Sequence, residues 1–112
     1  IGHAIENASG YELRHGDCVA LGMLAACRIS NRLTGLPESV TVRLEKLLER
    51  FGLPTRLSNA PPVERILETM KLDKKVQDGR IQFLLLAELG QSVARDDVGI
   101  DAVMSAYASL MK

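Results

Sequence analysis

The chain is organised around Gly-His-Ala-Ile-Glu at residues 2–6 and His-Gly-Asp-Cys-Val-Ala-Leu-Gly-Met at residues 15–23. These segments contain both histidines, His3 and His15, and a long apolar helical pattern follows directly from them. His3 and Glu6 stand three residues apart, so in a helix they share one face. If a helix begins beside His15, its positive end favours the neutral imidazole that ligates metals. The pattern therefore predicts two imidazoles in a single site.

Histidine spacing alone leaves the nature of that site open. Catalytic and structural zinc sites use three or four protein ligands. The chain has no H-E-x-x-H, no paired C-x-x-C and no G-x-G-x-x-G motif. A metal site and two ordinary histidines are therefore both compatible with the spacing.

Composition restricts the class of protein. The chain has 112 residues, of which 46% are hydrophobic, enough for one domain with its own core. Its 14 basic residues balance 14 acidic ones, and there is no polybasic segment. No apolar run approaches the roughly 20 residues that span a bilayer, and no segment has a signal-peptide pattern. We expect neither nucleic acid nor a membrane as partner.

The two cysteines, Cys18 and Cys27, lie nine residues apart on one predicted helix. At about 100° and 1.5 Å per residue they point to opposite faces, roughly 13 Å apart along the axis. They cannot form a disulfide with each other. Free, buried thiols and a reducing cytoplasm are the expectation.

Apolar periodicity and Gly or Pro boundaries predict five helices. They run over Ile1–Ala8, Gly16–Leu33, Pro37–Phe51, a segment from Pro61-Pro62 to Met70, and a segment capped by Asp101 and ending at Met111. The second of these is apolar almost all round in its first half, so it should be buried centrally. Its small residues, such as Gly22, would allow another helix to approach closely. In the last helix Val103, Met104, Tyr107 and Leu110 should point inward.

A small β-hairpin is predicted near residues 81–95. Residues 81–86 are apolar except for Gln82 and lie between Gly79 and Gly90, and a second short strand follows at residues 91–95. A helix over residues 81–86 is the alternative, because Leu and Ala favour helices. The glycines favour the strand, so the predicted fold class is mainly α with one small hairpin.

Four cationic residues, Lys71, Lys74, Lys75 and Arg80, lie within ten positions of one another. One interpretation is a solvated surface turn. The other is an anion site, because clustered ammonium groups hold phosphate or carboxylate.

The two histidine segments closely resemble the 3-dehydroquinate synthase family of sugar phosphate cyclases. In that family two Gly-His pairs stand four residues apart, the second opens Gly-His-Ala-Ile-Glu, and His-Gly-Glu-x-Val-Ala-x-Gly-Met follows. This chain begins inside the second pair, and Asp17 replaces the usual Glu. Asp-Lys-Lys at residues 73–75 and Gly-x-Ile-x-Phe-Leu-Leu-Leu at residues 79–86 also resemble the family pattern.

The resemblance implies that residues 1–112 are the helical metal- and substrate-binding C-terminal domain of a two-domain enzyme. The NAD-binding N-terminal domain would be absent from this chain, and the active site would lie between the two. The implied enzyme is a cytoplasmic homodimer of the shikimate pathway of aromatic amino acid biosynthesis. It converts 3-deoxy-D-arabino-heptulosonate 7-phosphate to 3-dehydroquinate and phosphate, using transient oxidation by NAD and a divalent metal, Zn²⁺ or Co²⁺.

The resemblance also assigns roles to residues. His15 is implied as a metal ligand, and His3 as the catalytic residue that contacts the substrate phosphate. Lys74 or Lys75 is implied to bind substrate, and the sequence does not decide between them. For Glu6 we favour a structural carboxylate that orients a neighbour. Because the family's other metal ligands precede Ile1, we expect the chain alone to be inactive and to bind zinc weakly or not at all.

Three other functions remain as alternatives. Other sugar phosphate cyclases differ mainly in residues that contact substrate. Iron-containing alcohol and glycerol dehydrogenases share a helical domain and a similar His-Gly motif, but the cationic cluster at residues 71–80 argues against them. A free-standing helical interaction module would make His3 and His15 dispensable.

Overall fold

The computed structural model describes residues 1–9, 13–58, 60–71, 76–77, 80–81 and 83–111. Its helices are α1 (Gly2–Ala8), α2 (His15–Leu33), α3 (Glu38–Arg50), α4 (Val63–Lys71) and α5 (Ile100–Ser109). Its strands form two antiparallel pairs, β1 (Val76–Gln77) with β2 (Arg80–Ile81), and β3 (Phe83–Glu88) with β4 (Gln91–Arg95). The predicted mainly α fold with a hairpin near residues 81–95 is confirmed. No helix in these ranges is long and apolar enough to cross a membrane.

Helix ends differ from the predictions by one or two residues. α2 begins at His15, one residue earlier than predicted, and Pro37 lies just before α3 instead of in its first turn. The predicted cap of α5 is wrong: Gly99 occupies the N-cap, and Asp101 lies in the first turn. A carboxylate in the first turn still favours the helix, because it faces the positive end of the helix dipole.

The core surrounds α2, which contacts α1, α3, α5 and β3. Its fully buried side chains include Leu21 and Ile29, and they pack with Ile5 of α1 and Tyr107 of α5. The two cysteines, Cys18 and Cys27, are also buried and free, as predicted.

The first half of α2 lies at the centre of the core, as predicted, but two of its large apolar side chains are not buried. Val19 is 45% exposed and Met23 is 43% exposed. Both line an open cavity beside α1, so this stripe of α2 faces a cleft instead of the core. Met104 of α5, predicted to point inward, is likewise 41% exposed.

α1 and α2 touch backbone to backbone through a pair of glycines. A Cβ atom on Gly22 would lie 2.9 Å from the N and Cα atoms of Gly2, and one on Gly2 would lie 2.6 Å from the Cys18 carbonyl oxygen. Real Cβ atoms do not tolerate such distances. The predicted close approach at Gly22 is therefore confirmed, and it fixes α1 beside the start of α2.

Two hydroxyl groups, of Ser30 in α2 and of Thr34 at its C-cap, hold the β3–β4 hairpin. The Leu86 amide donates to Ser30 Oγ at 3.0 Å, and Thr34 Oγ1 donates to the Leu86 carbonyl at 2.5 Å. Leu85, which pairs with Val93 of β4, is buried against the helices. The hairpin thus packs at the C-terminal half of α2, and residues 83–86 are a strand, not the alternative helix.

Replacing Tyr107 by Phe is expected to lower the free energy of unfolding by about 1 kcal/mol, because a partly buried acceptor loses its donor. Tyr107 is 1% exposed, and its hydroxyl donates to the Pro61 carbonyl at 2.5 Å. Urea unfolding at neutral pH measures the difference. Equal unfolding free energies for the two proteins would show that this hydrogen bond adds nothing.

The same substitution should also change the response to alkaline pH. Burial raises the pKa of Tyr107 above its ordinary value of 10.0. The unfolded chain therefore ionises this phenol first, so its stabilising contribution is complete below pH 10.0 and declines as pH rises towards the folded pKa. Urea unfolding above pH 10.0 should show a smaller loss of stability in the Phe variant than in the wild type.

Candidate functional site

A cavity of about 350 Å³ lies between α1 and the first half of α2. Both histidines, His3 and His15, line it, together with Glu6. Its remaining walls are largely apolar and include Val19, Met23, Ile29, Met70 and Phe83. The structure thus brings the two imidazoles to one cavity, as the sequence pattern predicted.

A carboxylate of α1 holds the imidazole at the start of α2. His15 Nδ1 lies 3.1 Å from Glu6 Oε2 and 3.3 Å from Oε1. The Glu6 side chain is only 12% exposed, whereas that of His15 is 77% exposed. A carboxylate fixed in the helix packing therefore anchors a ring that projects into solvent. The interpretation of Glu6 as a carboxylate that orients a neighbour fits this contact.

The second imidazole has a partner on its own helix. Asn7 Nδ2 donates to His3 Nε2 at 3.3 Å, across one turn of α1. His3 is exposed, so this bond restrains a ring that would otherwise rotate freely. Asn7 was not predicted as a site residue, although its i,i+4 spacing from His3 was a signal that could have identified it.

Cys18 lines the same cavity, which the sequence did not suggest. Burial raises the pKa of this thiol, and the nearby carboxylates of Glu6 and Asp17 raise it further. Because the thiolate is the reactive and metal-binding form, Cys18 is disfavoured as nucleophile or ligand at neutral pH. Burial also raises the pKa of Cys27, against opposing effects of Arg28 and a hydrogen bond with Thr41.

The described residues provide one suitable metal ligand, His15, and not a complete metal site. With Nδ1 held by Glu6, His15 leaves Nε2 for a metal, an arrangement common behind zinc-ligating histidines. Among the described residues, no group of three or more His, Cys, Asp or Glu side chains is placed to hold a metal ion. Catalytic zinc takes three protein ligands, so the other ligands of such a site would have to come from outside the described residues.

The predicted lysine positions cannot be compared with the cavity. Lys74 and Lys75 lie outside the described residues. The cluster's other two members, Lys71 and Arg80, lie in α4 and β2. Met70, near the end of α4, lines the cavity.

A second, larger groove of about 660 Å³ lies between α2, α3 and the hairpin. Its lining is mostly apolar and includes Leu47, which is 49% exposed, and Leu84, which is 70% exposed. Arg43, Lys46 and Arg50 of α3 also line it. Both α3 and β3 therefore present exposed apolar side chains to this groove.

Comparisons with known proteins agree on one family. The family model for the 3-dehydroquinate synthase C-terminal region matches residues 1–76. A 3-dehydroquinate synthase of Dehalococcoides mccartyi is 48% identical over 99 residues, which cover 88% of this chain and 27% of that protein. Those of Xylella fastidiosa and Nostoc punctiforme are 44% identical over 103 residues and 39% identical over 104. These two alignments cover 87% and 92% of this chain, but 26% and 29% of the relatives.

Proposed function

Since the chain belongs to the 3-dehydroquinate synthase family, we propose that it is the helical metal- and substrate-binding domain of such an enzyme. The parent would be a carbon–oxygen lyase that converts 3-deoxy-D-arabino-heptulosonate 7-phosphate to 3-dehydroquinate and phosphate in the cytoplasm. The chain spans about 27% of the Dehalococcoides relative. The NAD-binding domain and the homodimer would therefore involve residues outside this chain.

The observation that carries this proposal is the shared cavity of His3 and His15. One imidazole, backed by the Glu6 carboxylate, leaves Nε2 for a divalent metal, Zn²⁺ or Co²⁺. When bound, such a metal supplies a Lewis acid that polarises a substrate oxygen. The other imidazole lines the same cavity, within which it would donate a hydrogen bond to the departing phosphate.

Apolar side chains would support this polar chemistry. Val19, Met23 and Phe83 line the cavity beside the imidazoles. Such walls exclude water around a bound substrate, and electrostatic interactions strengthen where water is excluded. In this proposal the half-exposed state of Val19 and Met23 belongs to the site.

The test is phosphate release by the full-length parent protein, given the heptulosonate phosphate and NAD, with and without a chelator. Release that the chelator abolishes supports the proposal. No release, with NAD reduction by simple polyols instead, would assign the chain to the dehydrogenases. We also propose that the other metal ligands lie outside this chain. Turnover by the 112-residue chain alone would contradict this.

The two candidate lysines can be separated in the same assay. We expect alanine at either Lys74 or Lys75 to raise KM for the heptulosonate phosphate by roughly 10- to 100-fold, the size of a charge-assisted hydrogen bond. The other substitution should change KM by less than about threefold, as a screened surface charge does. Lys46→Ala, on α3 and away from this cavity, is the matched control. Unchanged KM values in both lysine variants would argue for a solvated surface turn.

A further inference from the structure

The proton of the neutral His15 ring is placed by its partner. A carboxylate oxygen of Glu6 only accepts hydrogen bonds, so the Nδ1 atom facing it carries the proton. A neutral imidazole has one N–H and one acceptor nitrogen. Nε2 of His15 therefore keeps its lone pair.

His3 is held by a partner of the opposite kind. The Asn7 Nδ2 group is a hydrogen-bond donor only, so His3 Nε2 must be the acceptor. In the neutral ring the proton then lies on Nδ1. The two rings share one tautomer, but the nitrogen left free differs between them.

We propose that Glu6 and Asn7, consecutive residues of α1, hold both imidazoles in the Nδ1–H form, so that His15 offers a lone pair and His3 offers an N–H. Consecutive helical residues project about 100° apart, so the two side chains reach different rings. A lone pair suits a metal ion, and an N–H suits a phosphate oxygen. Only this last assignment of purpose rests on the proposed function.

The restraint is needed because both rings are exposed. An unrestrained histidine side chain in water prefers the Nε2–H form, which would put a proton on the His15 atom proposed to ligate. Glu6 opposes this from a fixed position, since its side chain is 12% exposed and α1 is seated on α2 at Gly2 and Gly22. Glu6 and Asn7 are therefore positioning residues.

Two isosteric exchanges test the proposal on the 112-residue chain. Two-bond ¹H–¹⁵N correlation spectra of histidine-labelled protein report each tautomer without metal or substrate, at a pH where the spectra show neutral rings. We expect the Nδ1–H pattern for both rings. Glu6→Gln should shift His15 alone towards Nε2–H, by roughly two- to tenfold in tautomer ratio, the size of one net hydrogen bond. Asn7→Asp, which replaces a donor by an acceptor, should shift His3 alone to the Nε2–H form.

The two variants are controls for each other, because each leaves the other ring's partner in place. Circular dichroism establishes that both variants remain folded. If one of them does not fold, Glu6→Ala or Asn7→Ala replaces it in the same measurement. A dominant Nε2–H form of either ring in the wild type would overturn the proposal. So would variants that leave both rings unchanged. Neither result depends on phosphate release, so this inference and the proposed function can fail separately.

Discussion

Replacement of His15 by alanine in the full-length parent enzyme is expected to lower chelator-sensitive phosphate release at least about 100-fold, because a Lewis-acidic metal contributes several kcal/mol. The substitution removes the imidazole that the structure leaves open at Nε2. Because that imidazole is the proposed metal ligand, metal content should fall together with turnover. Phosphate release and metal content, measured on the same preparation, test both consequences.

Arg32→Ala is the matched control for this prediction. Arg32 is exposed in the last turn of α2, at the opposite end of the helix from His15. We expect it to retain turnover and metal. If His15→Ala keeps both as well, His15 is not a metal ligand, and the proposed function loses the residue on which it depends.

Gly22→Leu is expected to lower the free energy of unfolding by about 3 kcal/mol, and Gly22→Ala by about 1–2 kcal/mol. A Cβ atom at this position meets the Gly2 backbone at 2.9 Å, and backbone atoms cannot move aside as a flexible side chain does. Alanine favours a helix over glycine by up to about 1 kcal/mol, so the clash must exceed that gain. Domains are stable by only about 5–15 kcal/mol, so the loss is large.

Gly16→Ala provides the comparison within the same helix. A Cβ atom at Gly16 has nothing within 4 Å, so this variant should be stabilised by up to about 1 kcal/mol. Urea unfolding of the variants measures both changes. Opposite signs for Gly16→Ala and Gly22→Ala support the backbone contact, and equal changes would contradict it. Displacement of α1 should also separate Glu6 from His15, which the tautomer spectra would detect.

Local signals predicted the elements well because their chemistry is local. Gly35, Gly52 and Gly90 have φ values of 75°, 73° and 84°. Residues other than glycine rarely adopt such backbone angles. Each of the three glycines follows the end of a helix or a strand, which is where glycine boundaries were predicted. The β4 strand at residues 91–95 was predicted for the same reason, directly after Gly90. Asp101 is the exception, because its carboxylate and the backbone of Gly99 both suit a helix start.

Contacts between elements were harder to predict from the sequence. Apolar periodicity cannot distinguish a core from a cleft, so Val19 and Met23 were expected to be buried although they line the cavity. The Glu6–His15 contact joins residues nine positions apart on two different helices, and no helical spacing reveals it. The histidine segments identified the cavity, and the contact between His15 and Glu6 appeared only in three dimensions.

The hydroxyl groups of Ser30 and Thr34 have a consequence for aggregation. A two-stranded hairpin has two outer edges, and an open edge invites a strand from another molecule. At Leu86 these hydroxyls bind the amide and carbonyl that a third strand would otherwise take. The two hydroxyls thereby block edge-to-edge pairing of β3 at this residue. The same strand carries Leu84, which is 70% exposed. Loss of both hydroxyls would therefore open a site for intermolecular β-pairing.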